Sequence, residues 1–278
     1  MTTNNNISAY SHIESTVVLG KNNIISDNVI IRGNVTIGDN NYIGAGTIIE
    51  YVPMQNHKGH IVIGNDNHFA SNIVIGGIPR KKLKPMKWEL PKSLNTGKIL
   101  IGSSNVIFEN VTIHQPIDGE TIIENDISIG AHTHVSHDTI IRSKSILSVN
   151  ITLGGYVIIG YAASIGMGVN IHQRCVIGAY SMCGMGAAVK GHVLPLLTVA
   201  GVPAKMLGLN KIGLIRNGFS ESEIINLEEN LLKGIDNKTI AYGCNERLNF
   251  NYRQFLEDCD KWKREEFPIK LIIKNIEL

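Results

Sequence analysis

Three histidines fall within six residues, at His132, His134 and His137, and the last is followed at once by Asp138. A carboxylate beside an imidazole orients the ring and stabilises its protonated form, as a general base requires when it takes a proton from a hydroxyl or an amine. His114 and His172 stand apart from the cluster. A single histidine at a turn is often exposed and idle, so it is the grouping with Asp138 that marks this stretch.

The segments that must position these groups have a simple rule. An apolar residue recurs every six positions, in one run from Leu19 through Ile25, Ile31, Ile37 and Ile43 to Ile49, and in a second and longer run from Ile123 to Val189. Between them the phase resumes at Ile63, Phe69 and Ile75 and again at Ile101, Ile107 and Ile113. Neither an amphipathic helix nor a simple alternating strand has this period, whereas a parallel β-helix needs one inward side chain per short face. Three hexapeptides make an 18-residue coil, and each coil buries its apolar side only against its neighbours. The phase breaks imply 8 extra residues after Ile49, 20 after Ile75 and 4 after Ile113, all expected as external loops.

Stacking turns the repeat into a ruler. Gly155 stands eighteen residues beyond His137, and His172 eighteen beyond Gly154, so a histidine base, a backbone amide free of side chain and a second histidine converge. That combination suits acyl transfer, with the amide N–H holding an oxyanion. Beyond Pro195 the period ends. Ser220 and Glu223 form a capping box that opens a helix over about 221–233, stopped by Gly234, and a second amphipathic stretch runs from about Asn245 to Glu265 before Pro268. The expected organisation is a β-helix over 1–201, joined through 196–219 to a helical domain over 202–278.

The 278 residues carry 26 basic and 24 acidic side chains, a net charge of +2, which gives no general affinity for nucleic acid or an anionic membrane. The cysteines at 175, 183, 244 and 259 form no CxxC pair and are read as reduced thiols. No apolar run approaches membrane-spanning length, and the first residues carry no signal-peptide pattern, so a cytoplasmic location is expected.

The ordered series Val111-Thr-Ile-His114, His134-Val-Ser-His137-Asp138, Leu153-Gly-Gly155, Ile171-His172-Gln173 and the stretch from Gly208 to Ser220 resembles the UDP-N-acetylglucosamine acyltransferase family of lipid A synthesis, over about residues 10–235. The resemblance implies an all-β left-handed parallel β-helix of hexapeptide repeats with a C-terminal α-helical domain, and a homotrimer with sites between subunits. It implies His137 as general base, Asp138 as its orienting partner and Gly155 as the oxyanion amide. His114, His134, His172 and Gln173 would line the cleft for a nucleotide sugar and an acyl-phosphopantetheine arm, with no resident cofactor and no metal. Asn210 and Arg216 match positions that contact the acceptor, and Met182 and Met185 fall where the family sets acyl length, Met185 shortening the groove.

Departures from the family pattern concentrate on the acceptor. Tyr156 replaces a further histidine, Ile212 a glutamate and Asn217 a second arginine. The segment Gly77-Ile-Pro-Arg80-Lys81-Lys82-Leu-Lys84 is basic where the family has an acidic contact. With Lys87 it forms either a solvated loop or a docking surface for an acidic acyl carrier protein or a diphosphate. The leading expectation is transfer of a 3-hydroxyacyl chain from acyl carrier protein to the 3-hydroxyl of the nucleotide sugar. The alternative is N-acylation of a nucleotide-linked amino sugar for a surface glycan, from acyl-CoA or acyl carrier protein. A zinc enzyme of the carbonic anhydrase type would need more widely separated histidines and leaves the helices unexplained. A non-catalytic scaffold leaves the convergence of His137, Asp138 and Gly155 unexplained.

Overall fold

Why a six-residue period folds as it does is visible at the corners. Asn22, Asn28, Asn40, Asp66, Asn72, Asn110, Asp126 and Asn150 all adopt left-handed backbone, with φ of 57–60°. Short polar side chains tolerate that region better than most, so each corner turns the chain sharply between strands of two to five residues. A computed structural model describes residues 4–51, 59–79, 97–232 and 246–261. Its strands stack into three sheets of 11, 9 and 8 strands, which form a β-solenoid of about nine turns followed by helices.

The inward residues from Ile25 to Val189 form one continuous buried column, with Leu19 packed against its open end. Register bears out the ruler. Val135 pairs with Leu153 and Leu153 with Ile171, eighteen residues apart. The longer coils pair Ile43 with Phe69, Phe69 with Ile107 and Ile107 with Ile129, as extra lengths of 8, 20 and 4 require. All three insertions leave the nine-stranded sheet and return in the eight-stranded one, so they share one corner of the prism. His137 turns at that same corner, between the strands His134–Val135 and Ile140–Ile141. Residues 52–58 and 80–96 of the two longer insertions, including Arg80, Lys81, Lys82, Lys84 and Lys87, lie outside the described residues.

At a neighbouring corner the polar residues point inward. Asn5, Asn23, Asn41, Asn67 and Asn105 stack so that each side-chain oxygen accepts from the backbone N–H one coil on, at 2.8–3.0 Å, and Ile127 N–H ends the series. The amide of Asn67 also donates to Gly102 O at 2.9 Å.

Past Ala200 the structure departs from a purely helical C-terminal part. Lys205–Leu209 forms a strand antiparallel to Leu197–Ala200, which pairs the last edge of the eleven-stranded sheet instead of leaving it open. A lone antiparallel strand carries no six-residue signature, so the period could not reveal it. Three helices follow among the described residues: α1 (Lys211–Arg216), α2 (Glu221–Leu232) and α3 (Glu246–Lys261). The capping box opens α2, since Ser220 N–H donates to Glu223 at 2.8 Å and Glu223 N–H to the Ser220 hydroxyl at 3.3 Å. Gly234 and Pro268 lie outside the described residues. Tyr252 and Phe255 of α3 pack on Ile140, Ile158 and Val176, the outward residues of the eight-stranded sheet. Asp258 is clamped by the Arg142 guanidinium at 2.7 and 2.9 Å, which counters the upward push of burial on its carboxyl. His192 packs edge-on to Phe255, and its Nδ1 accepts from Val176 N–H at 3.0 Å.

Two measurements test this packing. Asn67→Ala orphans the buried Asn105 N–H and Gly102 carbonyl, so urea unfolding should show a loss of about 2–4 kcal/mol; a loss below about 0.5 kcal/mol means the ladder does not stabilise the coils. Burial holds His192 down at about 4, below its ordinary 6.5, so the unfolded chain binds the extra proton between those values and stability falls as pH drops through that window. His192→Gln should reduce the difference in stability between pH 7 and pH 4.5 by about 1 kcal/mol, since solvent reaches part of the imidazole and screens it. An unchanged difference would show that the imidazole does not titrate against folding.

Candidate active site

The four-residue insertion after Ile113 does not hang free. Its backbone turns over Asp138, whose carboxylate accepts from Ile117 N–H at 2.8 Å, Asp118 N–H at 3.1 Å and Gly119 N–H at 2.7 Å. Asp138 is fully buried, and its own N–H donates to the Thr121 hydroxyl at 3.0 Å, which in turn donates to His114 O at 3.1 Å. Charge-assisted bonds of this kind are what allow an ionised carboxylate to remain out of water. The charge is felt by buried Tyr51, whose hydroxyl is pushed up by burial and then by Asp138.

His137 Nδ1 lies 2.8 Å from Asp138 Oδ2, with 14% of the His137 side chain exposed. An ionised carboxylate can only accept, so the bond places the proton on Nδ1 and leaves Nε2 as the basic atom. Gly155 lies against that edge of the ring. A Cβ there would sit 2.4 Å from Cε1 and 2.5 Å from Nε2, so any other residue would displace the imidazole. Around this pair stand His134, whose Nδ1 is 2.7 Å from the Thr112 hydroxyl, and His114, edge-on to His134 at 4.5 Å. Burial, reinforced by His134 and His137, lowers His114 to about 4, and burial with His137 lowers His134 as well. Both therefore stand neutral at neutral pH.

Tyr156 closes the other side, its ring edge-on to His137 at 4.9 Å and its hydroxyl donating to the Asp118 carboxylate. The Arg174 guanidinium covers the Tyr156 ring at 4.7 Å. Neither Asp118 nor Arg174 was among the residues singled out from the sequence. The ruler offered a signal for the second, because Arg174 follows Tyr156 by eighteen residues, whereas the bond to Asp118 depends on the path of the insertion.

The remaining candidates are spread more widely. His132 is exposed at its own corner, and His172 and Gln173 are exposed on the coil after Gly155, the His172 Nδ1 facing Gln173 O at 3.1 Å. Asn210, expected as an acceptor contact, is buried and caps α1: its side-chain oxygen accepts from Gly213 N–H at 3.1 Å and its amide donates to Tyr180 O at 2.8 Å. With both ends engaged inside the chain, it sets the place of α1. Arg216 ends that helix, exposed. Met182 is half-buried, while Met185 is 70% exposed and so is no core residue. It ends an exposed column with Val149 and Met167, one apolar side chain per coil. Among the described residues no group of three or more His, Cys, Asp or Glu is arranged to hold a metal ion.

The family model "Bacterial transferase hexapeptide (six repeats)" matches residues 16–50. The acyl-(acyl-carrier-protein)–UDP-N-acetylglucosamine O-acyltransferases of Stutzerimonas stutzeri and Pseudomonas putida are 38% identical over 130 residues, which is 46% of this chain. The match spans about half the length of those relatives, 50%. The crystal structure of LpxA, a UDP-N-acetylglucosamine acyltransferase from Bacteroides fragilis, superposes with a TM-score of 0.74 at 30% identity, over 89% of this chain and 95% of that one. The UDP-N-acetylglucosamine acyltransferase from Campylobacter jejuni gives 0.75 at 26% identity, over 90% and 96%. A fold matched almost from end to end at that identity places the chain in the LpxA-type UDP-N-acetylglucosamine acyltransferase family of hexapeptide-repeat, left-handed β-helix proteins.

Proposed function

We propose that this protein transfers a (3-hydroxy)acyl group from an acyl carrier protein thioester to the 3-hydroxyl of UDP-N-acetylglucosamine, an early reaction of lipid A synthesis in the cytoplasm. The observation that carries the reading is the His137–Asp138 pair at 2.8 Å, its carboxylate held by three backbone N–H groups, with Gly155 against the free edge of the imidazole. His137 Nε2 takes the proton of the sugar hydroxyl as its oxygen attacks the thioester carbonyl. The Gly155 N–H holds the oxyanion of the tetrahedral intermediate. Collapse expels the phosphopantetheine thiolate, which recovers the proton from His137 and leaves as free thiol. His114, His134, Tyr156, His172, Gln173 and Arg216 belong to the surrounding cleft in this reading. Among the described residues no helix is long and apolar enough to cross a membrane.

A homotrimer with sites between subunits is part of the proposal. Its support is the outer face of the eleven-stranded sheet, where Ile24, Val106 and Ile146 are exposed apolar residues that a flat subunit contact would cover. N-acylation of a nucleotide-linked amino sugar is the second reading. It is favoured by exposed Ile212 on α1, an apolar side chain where the resemblance calls for a carboxylate toward the acceptor.

Incubation with a panel of nucleotide sugars and with carrier-protein and CoA thioesters, following thiol release, tests the reaction and separates hydroxyl from amine acceptors. His137→Ala should lower turnover by roughly 10²–10⁴-fold with the fold intact. Activity within a few-fold of wild type would remove His137 from the base role. Met185→Gly should raise the relative rate with longer acyl donors on the same carrier, each accommodated methylene contributing up to about 0.8 kcal/mol. An unchanged ranking of chain lengths would mean that the Val149–Met167–Met185 column does not line the acyl groove.

A further inference from the structure

Asp138, Tyr156 and Arg174 occupy successive coils at the same corner, and all three adopt left-handed backbone, with φ of 56°, 62° and 63°. Asparagine or aspartate fills this conformation at many other corners, and tyrosine and arginine have no local hydrogen bond to favour it. What the conformation achieves is direction. Tyr156 is drawn back down the corner, 6% exposed, so that its ring meets His137 and its hydroxyl reaches the Asp118 carboxylate. Asp118 faces both ways: its side chain accepts from Tyr156 while its backbone N–H donates to Asp138 at 3.1 Å, between the Ile117 and Gly119 donors. The Arg174 guanidinium lies over the ring at 4.7 Å, where it attracts the π-system and offsets the charges of Asp138 and Asp118.

We propose that Tyr156 is a positioning residue for the base: through Asp118 it ties the 115–119 segment down on Asp138, and so fixes the tautomer and direction of His137. This rests on the reading of His137 as the base. It differs from a role for Tyr156 in touching the acceptor, which its place in the resembling motif implies. A residue that touches the sugar acts on binding, whereas a tie beneath the dyad acts on turnover. The tyrosine hydroxyl also suits the task chemically. Burial, the bond to Asp118 and the charges of Asp138 and Asp118 all raise its pKa, so it remains a donor throughout the working range.

Tyr156→Phe keeps the ring, its edge contact with His137 and the face under Arg174, and removes the hydroxyl that makes the tie. In the full-length protein without substrate, backbone amide exchange at Ile117, Asp118 and Gly119 should quicken about tenfold or more while the coils keep wild-type protection. In steady-state assays with an acyl carrier protein donor and UDP-N-acetylglucosamine, kcat should fall roughly ten- to a hundredfold with KM for the nucleotide sugar within about twofold. Asp118→Ala should reproduce both effects and add little to Tyr156→Phe, whereas Asp118→Asn, which still accepts from the hydroxyl, should recover most of the loss. Unchanged exchange at 117–119, or a raised KM with kcat intact, overturns the proposal. Exchange is read without turnover, so a wild-type protein that transfers no acyl group would defeat the catalytic reading while leaving the tie separately decided.

Discussion

Asp138 has no solvent exposure, and an ionised carboxylate in that position is tolerable only if donors take the place of water. Three of its four close donors are consecutive backbone N–H groups of Ile117, Asp118 and Gly119, and the fourth is His137. The three amides hold the charge, and the imidazole uses it. Were the segment to lift, Asp138 would lose most of its stabilisation and His137 its orientation together. A four-residue lengthening of one coil is therefore the structural condition for the dyad.

The solenoid makes that condition easy to meet. Parallel pairing fixes each coil directly over the last, so a group placed at one corner recurs there eighteen residues on, as Asp138, Tyr156 and Arg174 do. The three longer coils all break at this corner and nowhere else in the described stack. The other faces stay regular, carrying the inward isoleucines on one hand and the asparagine ladder on the other. Rigidity and variation are thus separated in space: the core sets heights and angles, and the corner that carries the insertions holds the His137–Asp138 pair.

That separation explains what could be read from residue order. Strand positions, inward side chains, coil offsets and the meeting of His137 with Gly155 all follow from the period, because stacking converts sequence distance into spatial distance. Where the period lapses, so does the ruler. The strand Lys205–Leu209 is one antiparallel addition, and the path of 115–119 is set by donors seeking the Asp138 charge. Asn210 shows a different limit, since the same amide serves a ligand or a helix end, and here α1 and Tyr180 O engage it. The Val149–Met167–Met185 column was within reach of the ruler, but the pair Met182 and Met185, three apart in the chain, does not display it.

The histidines show most clearly what geometry adds. By residue type His114, His134 and His137 are equal candidates for proton transfer, and three imidazoles this close cannot all carry a proton. Environment divides the work. Burial drives His114 and His134 toward the neutral form, and His134 spends its Nδ1 on the Thr112 hydroxyl. Among the described residues neither has a carboxylate against its ring, whereas His137 meets Asp138 at Nδ1 and turns its opposite nitrogen toward Gly155. His137 is set against the one carboxylate that the described coils bury completely. The neighbouring rings, neutral and partly buried, exclude water and present hydrogen-bonding edges, so the buried carboxylate is paired with a single nitrogen of a single imidazole.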